Sequence, residues 1–467
     1  MRIRFCGAAR TVTGSSHLVI TGDGRSVLLD CGLVQGKQAY VDEMNQRFAF
    51  EPRSINALVL SHAHIDHAGR IPKLVKEGFR GPVFCTSATL DLCRVMLLDS
   101  AHIQTKDSEY HNKKRKKQGL PPIDPLYTAG DVEAAIKLFR PVSYEDWFEV
   151  LPGVSALFRD SGHILGSASI TLKVKGGGEE KVIGFTGDIG RPARPILRDP
   201  VPMPDCDYLI TESTYGARLH QKFPEDLETF WKIIEETCLR RRGKLLIPSF
   251  SVGRTQEIVY SLDLLSKMKN FDHLPVYVDS PLSVNATEIY RSHPECYDAE
   301  ISRHLLSDPN PFGFNSLTFI TEVEQSKQLN ADQRPSVIIA ASGMAEAGRI
   351  VHHLNNHMED ERCTVLFVGY CGEGTLGHRI RNGVNPVKIF GQEKQVRAKI
   401  AIMDSFSAHG DQKEMINFLQ PLSRSRLRKT FLVHGDYEVQ TVFSSKLAEN
   451  GFRHIEIPAY GEEIALD

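Results

Sequence analysis

The sequence predicts an α/β protein in two parts, a mixed domain of strands and helices with a second, regularly alternating parallel α/β unit inserted in it. Three observations carry that prediction. The first stretch reads as strands joined by tight turns. A loop dense in histidine and aspartate comes after a short apolar strand, and after residues 207–212 (DYLITE) helix-like and strand-like segments alternate. No repeat or low-complexity linker separates the parts, as expected if one domain is inserted in another rather than strung after it. The 467 residues, 41% hydrophobic and 24% charged, exclude a disordered or fibrous chain and allow about two to three domains, each with its own core.

Residues 2–6 (RIRFC), 17–21 (HLVIT) and 26–30 (SVLLD) read as strands, the last two joined at Gly22-Asp23-Gly24, where Asp-Gly suits a tight hairpin. Residues 55–60 (INALVL) form a short apolar run that reads as a buried strand feeding the polar loop 62–69. Residues 87–118 read as a helix with Leu90, Cys93, Leu97 and Leu98 on one face, ending in Lys113-Lys114-Arg115-Lys116-Lys117. That run reads as a solvated helix end, with contact to a polyanion as the alternative. Next come a helix over 128–140 and a hairpin over 167–188, turning at Gly176-Gly177-Gly178. The alternating part is helix 225–242, strand 244–248, helix 254–268, strands 276–279 and 337–341, helix 346–357 and strand 364–368. Strands 398–403 and 430–433 and helices 412–419 and 439–450 close the chain.

Lys and Arg number 56 against 58 Asp and Glu, so the net charge of −2 supplies no global attraction to polyanions, and nucleic-acid binding would need a local basic cleft. The nine cysteines are odd in number, scattered and without a C-x-x-C pair, as in reduced cytosolic proteins. No run approaches the roughly 18 apolar residues of a membrane span. A cytoplasmic protein that does not enter membranes is expected.

The sharpest feature is Ser-His62-Ala-His64-Ile-Asp66-His67-Ala-Gly69, four metal-binding side chains within six residues, directly after a strand. On such a loop His62 and His64 can bind one metal while Asp66 and His67 reach a second beside it. This H-x-H-x-D-H-x-G pattern resembles the signature of the metallo-β-lactamase superfamily, whose fold is an αβ/βα sandwich with a metal-filled cleft. The resemblance implies three further ligands, matched here by His163 in DSGHILGS, Asp188 in FTGDIG and His434 in FLVHGD. It assigns His62, His64 and His163 to one metal and Asp66, His67 and His434 to another, with Asp188 bridging, and Asp30 at the end of SVLLD resembles the family residue that orients a ligand from behind. Without cysteine in the set, two Zn2+ per chain are expected, with Mn2+ or iron also compatible.

Asp188 and His434 are separated by far more chain than a compact hydrolase of that superfamily needs. The intervening residues include Glu212 in TESTYG and His409 in DSFSAHGD, which resemble motifs A and B of the β-CASP group, with His434 as motif C. The resemblance covers essentially the whole chain. It is closest to bacterial and archaeal relatives of the endonuclease subunit of the pre-mRNA cleavage and polyadenylation complex, and it implies a β-CASP insertion over residues 209–394 between metallo-β-lactamase parts 1–208 and 395–467.

The resemblance also implies a zinc-dependent ribonuclease, cutting internally and also from the 5′ end, with a homodimer as in related proteins; the two-domain architecture adds the expectation of single-stranded RNA as substrate. Hydroxide activated by the dinuclear zinc pair would attack phosphorus, Asp66 would accept a proton, and His409, oriented by Glu212, would protonate the leaving ribose oxygen. The turns PSFSVGRTQE and ASGMA each come after a strand, and Ser249, Arg254, Ser342 and Gly343 are expected to hold RNA phosphates. His353 and His357 stand at i,i+4 without the Glu of H-E-x-x-H and read as a solvated or hydrogen-bonded face, not a metal site. A hydrolase of small esters or thioesters would share all seven ligands, but such a substrate has no need of so large an insertion. A non-catalytic RNA-binding subunit is disfavoured because every ligand position is filled.

Overall fold

The computed structural model describes residues 1–36, 39–176, 178–220, 224–306, 308, 310–369, 371, 372, 374–403 and 407–467; Gly177 of the predicted hairpin turn and residues 404–406 of the motif before His409 lie outside them. Two compact units result, the first made of Met1–Pro192, Asp199–Leu219 and His409–Asp467, the second of Ala193–Arg198 and His220–Ala408.

The first unit is a sandwich of two seven-stranded mixed sheets. One runs Glu463–Ala465, Arg2–Gly7, Ser16–Ile20, Ser26–Leu29, Ala57–Val59, Val83–Cys85, Phe139–Pro141. The other runs Ile455–Glu456, Lys429–Leu432, Tyr208–Thr211, Glu179–Phe185, Ala168–Gly176, Val154–Asp160, Trp147–Leu151. Alternate residues of both sheets turn inward, so Ile3, Phe5, Val27 and Val59 share one core with Phe158, Ile170, Phe185, Ile210 and Phe431. The predicted hairpin is present, with His17 opposite Leu29 and Ile20 opposite Ser26. The long helix Ser87–Lys117 starts where the Thr86 hydroxyl accepts the Thr89 amide at 3.2 Å, and its last turn carries basic residues that complement the helix dipole. The four lysines of residues 113–117 are exposed.

The helix expected over 128–140 is shorter. It ends at Ile136, and Phe139–Pro141 becomes the edge strand of the first sheet, a place that tolerates proline because the missing N–H faces no neighbour. Two further strands, Trp147–Leu151 and Val154–Asp160, lie between the expected helix and hairpin and pair antiparallel with each other.

The second unit holds an all-parallel six-stranded sheet in the order Leu317–Ile320, Val276–Asp279, Ser336–Ala340, Lys244–Pro248, Thr364–Phe367, Lys399–Ile402. Its strands are near-continuous apolar runs, as sheets covered on both faces require. The first compact unit takes up the chain again at His409, while Lys399–Ile402 pairs in parallel with Thr364–Phe367 of the second. The first unit also keeps Glu212 and runs to Leu219, with Tyr208–Thr211 in parallel with Lys429–Leu432. No helix among the described residues is long and apolar enough to cross a membrane.

Candidate metal centre

Seven loop and strand-end residues of the first unit meet in one buried place. Strand Ala57–Val59 delivers Ser61 and His62, and the chain then winds into the short helix Ile65–Ala68, which carries Asp66 and His67. This turn is tied down by its own backbone: the Asp66 carbonyl accepts the Ser15 amide at 2.7 Å and the His67 carbonyl accepts that of Cys31 at 2.7 Å. Gly32 makes the approach possible, since a Cβ there would lie 1.6 Å from the Asp66 oxygen. Likewise Gly190 lets the loop carrying Asp188 pass the backbone of Gly162, beside His163. His434 comes just after strand Lys429–Leu432 with φ of 51°, its amide donating to the Ala8 carbonyl at 2.7 Å.

The donor atoms form two groups. His62 Nε2 and His163 Nε2 each lie 3.1 Å from His64 Nδ1, and Asp188 Oδ2 stands 3.5 Å from His62 Nε2 and 3.3 Å from His163 Nε2. On the other side His67 Nε2 and His434 Nε2 are 3.1 Å apart, Asp66 Oδ2 is 3.4 Å from His434 Nε2, and Asp188 Oδ1 is 3.3 Å from His67 Nε2. Tetrahedral zinc with bonds of about 2.0–2.1 Å holds its ligands roughly 3.3 Å apart, so these spacings suit a shared cation.

The tautomers of His67, His62 and His434 are set by what each ring meets at its back. His67 Nδ1 donates to Asp30 Oδ2 at 2.7 Å, which leaves the Nε2 lone pair facing the centre. Asp30, fully buried with φ of 59°, also accepts the Ser61 amide at 2.8 Å and the hydroxyls of Ser61 and Ser15. Having given its proton to Asp30, the Ser61 oxygen accepts from His62 Nδ1 at 3.0 Å. Thr214 gives its hydroxyl proton to the His434 carbonyl and accepts from His434 Nδ1 at 2.9 Å. Sequence patterns do not single out Ser15, Ser61 or Thr214, although Ser61 and Thr214 stand inside the motifs; a hydroxyl next to a ligand is too common a signal to decide alone.

Electrostatics agree with a cation site. Burial pushes His62 and His163 well below the ordinary histidine range, so they stay neutral. Burial would do the same to His67, but the carboxylates of Asp188 and Asp30 hold it well above that range. Asp188 Oδ1 is buried and accepts no hydrogen bond. A buried anionic oxygen without a hydrogen-bond donor is costly unless a cation faces it, and the raised His67 shows that the place draws positive charge, so the residues present fit a metal.

Beside the metal donors, His409 Nδ1 lies 3.2 Å from both carboxylate oxygens of Glu212. Glu212 is buried and aimed by the amides of Ile189 at 2.6 Å and Thr214 at 3.3 Å. Burial would lower the His409 pKa, but Glu212 and then Asp188 raise it to about 9.

With this geometry, similarity to known proteins becomes specific. The metallo-beta-lactamase superfamily matches residues 10–83, the Beta-Casp domain 255–380 and the Zn-dependent metallo-hydrolase RNA specificity domain 393–458. The chain is 36% identical over 466 residues to Ribonuclease TTHA0252 of Thermus thermophilus, covering 100% of both chains. The chain belongs to the metallo-β-lactamase/β-CASP family of RNA nucleases. Within the family it is also similar to Transcription termination factor FttA of Methanosarcina mazei, 30% identical over 451 residues, 93% of this chain and 67% of that one. FttA of Methanocaldococcus jannaschii is 31% identical over 449 residues, with the same shares.

In the β-CASP unit, the turn residues expected to meet phosphate differ in placement. Arg254 is buried, its guanidinium 2.6 Å from Glu257, which also takes Arg194 at 3.2 Å. Ser249 is buried and accepts the Thr255 hydroxyl at 3.0 Å. After strand Ser336–Ala340, Ser342 is partly buried and Gly343 is buried, with Phe250 packed against Gly343. His353 is fully buried and hydrogen-bonded, Nε2 to Asp279 at 2.7 Å and Nδ1 to Asn330 at 2.8 Å.

Proposed function

We propose that this protein is a ribonuclease that cuts single-stranded RNA internally, and also from the 5′ end, around two zinc ions. His62, His64 and His163 hold one ion, Asp66, His67 and His434 the other, and Asp188 is shared. The observation that carries this is Asp188 itself, one oxygen 3.3 Å from His163 Nε2 and the other 3.3 Å from His67 Nε2. When bound, such a pair lowers the pKa of water toward neutrality and offsets charge on phosphoryl oxygens.

The chain's own groups supply the rest. Asp66, partly exposed beside the donors, accepts the proton of the attacking water. His409, protonated because Glu212 faces its Nδ1, donates from Nε2 to the leaving ribose 3′ oxygen, giving 5′-phosphate and 3′-hydroxyl ends. Asp66 and His409, the groups assigned to the proton transfers, are the partly exposed ones, and a single strand brings a phosphodiester to them with less obstruction than a duplex. In the β-CASP unit the Ser342–Gly343 turn is assigned to a phosphate, while Ser249 and Arg254 shape the neighbouring turn from inside. The nine buried cysteines suit a reducing cytoplasm.

The test is cleavage of RNA labelled at either end by zinc-quantified protein, beside the same sequence as DNA and the Asp66→Ala variant. Internal RNA cuts that vanish in the variant support the reading. Intact RNA with zinc-loaded protein would overturn it in favour of a small-ester hydrolase.

A further inference from the structure

The β-CASP unit contains a second convergence of metal-binding side chains that nothing in the reaction above uses. Asp263 on helix Arg254–Lys269, His304 at the end of helix Ala299–His304, and Asp308 four residues later each turn one donor atom to a common point, all within 4.8 Å of one another. His304 Nε2 lies 3.7 Å from Asp263 Oδ2 and 3.6 Å from Asp308 Oδ2. Tetrahedral zinc spaces its ligands by roughly 3.3 Å, so both contacts of His304 lie within a few tenths of an ångström of that spacing.

A cation already holds this point. Lys267 Nζ stands 2.7 Å from Asp263 Oδ2, 2.6 Å from Asp308 Oδ2 and 3.2 Å from His304 Nε2. An ammonium group has three hydrogens and no lone pair, so all three neighbours act as acceptors. His304 therefore presents the Nε2 lone pair, the form a metal takes. Two carboxylates against one ammonium leave the cup with an excess of one negative charge, which a divalent ion would neutralise with the lysine withdrawn.

An independent observation points the same way. Asp263 is 1% exposed, and its Oδ1 is buried without a hydrogen-bond donor. Lysine satisfies only the other oxygen, whereas a metal ion can be held by both oxygens of one carboxylate. The Lys267 side chain is 46% exposed and can swing into water with little loss.

We propose that Asp263, His304 and Asp308 form a divalent-cation site of the zinc class, held by the Lys267 ammonium until the ion displaces it. Nitrogen and carboxylate donors in a three-ligand cup with an open position match that class. The bound ion would clamp helix Arg254–Lys269 to the segment after Ala299–His304. None of these residues belongs to the metal centre, so the proposal stands apart from the ribonuclease reading.

The experiment titrates full-length protein with buffered zinc and counts zinc per chain in wild type, His304→Ala, Lys267→Gln and the double variant, with circular dichroism on each and RNA cleavage recorded in parallel. Wild type should bind one zinc per chain more than His304→Ala, and Lys267→Gln should bind that ion about ten-fold more tightly because its competitor is gone. Zinc should raise the melting temperature of Lys267→Gln more than that of the double variant, while RNA cleavage stays unchanged in all four. Equal zinc content in folded wild type and His304→Ala would overturn the site, and an affinity unchanged by Lys267→Gln would overturn displacement of the lysine.

Discussion

His409 Nδ1 lies 3.2 Å from each carboxylate oxygen of Glu212, a contact between residues 197 positions apart that favours the charged form of a partly buried imidazole. Removing the proton donor should leave metal binding intact, because His409 is not among the grouped metal donors. His409→Ala is expected to slow RNA cleavage by about 10²–10⁴-fold with zinc content unchanged. Glu212→Gln, which keeps the shape and removes the charge, should slow it in the same direction through kcat more than KM. Cleavage at the wild-type rate by zinc-loaded His409→Ala would refute the proton-donor role.

Asp30 touches no metal donor except through His67 Nδ1 and Ser61, yet it sets the tautomers of two rings. Asp30→Asn should weaken zinc binding by about 10–100-fold, and excess zinc should restore cleavage. Zinc titration monitored by activity decides this; an unchanged affinity would mean that His67 is oriented by its packing alone.

Chelation should do more than abolish cleavage. Without cations, Asp188 Oδ1 is a buried oxygen lacking a donor, so the folded state gives up stabilisation that bound metal supplies. At zinc a thousand times its dissociation constant, each ion adds about 4 kcal/mol. The melting temperature is expected to fall on chelation and to recover with zinc, and an identical melt with and without metal would contradict this.

Acid sensitivity should come in part from His357. Burial, and next the charge of Lys244, lowers its pKa to about 4, and its Nε2 is buried without a hydrogen-bond partner. Between pH 6.5 and 4 the unfolded chain therefore binds a proton that the folded chain does not, so stability falls as pH falls through that window. The slope is about 1.4 kcal/mol per pH unit for this one group. Denaturant melts of wild type and His357→Leu at about pH 7 and about pH 5 measure it, on either side of the ordinary histidine pKa; the variant should lose less on acidification.

Much of the fold and centre is legible along the chain because it is written in local patterns. Strands Lys244–Pro248 and Val276–Asp279 and helix Gln412–Leu419 lie where the apolar period places them. Helix Gln412–Leu419 even announces its start, Asp411 and Glu414 forming a reciprocal cap. The loop from His62 to His67 is legible for a different reason, since four donors in six residues have no packing role at a strand end. Local patterning is silent where pairing decides: Lys399–Ile402 reads equally well in either unit, and only its register beside Thr364–Phe367 assigns it to the second.

By itself, then, the sequence determined which residue types could gather around a metal and roughly where strands and helices run, because burial imposes its period on neighbouring residues. Tertiary structure alone decided that His434 Nε2 stands 3.1 Å from His67 Nε2 across 367 residues and that the two oxygens of Asp188 face opposite groups of donors. It also decided that Arg254 turns to Glu257 and that Lys267 sits between Asp263 and Asp308. Those are matters of side-chain direction, set by sheet register and by backbone hydrogen bonds between loops distant in sequence, and no periodicity along the chain records them.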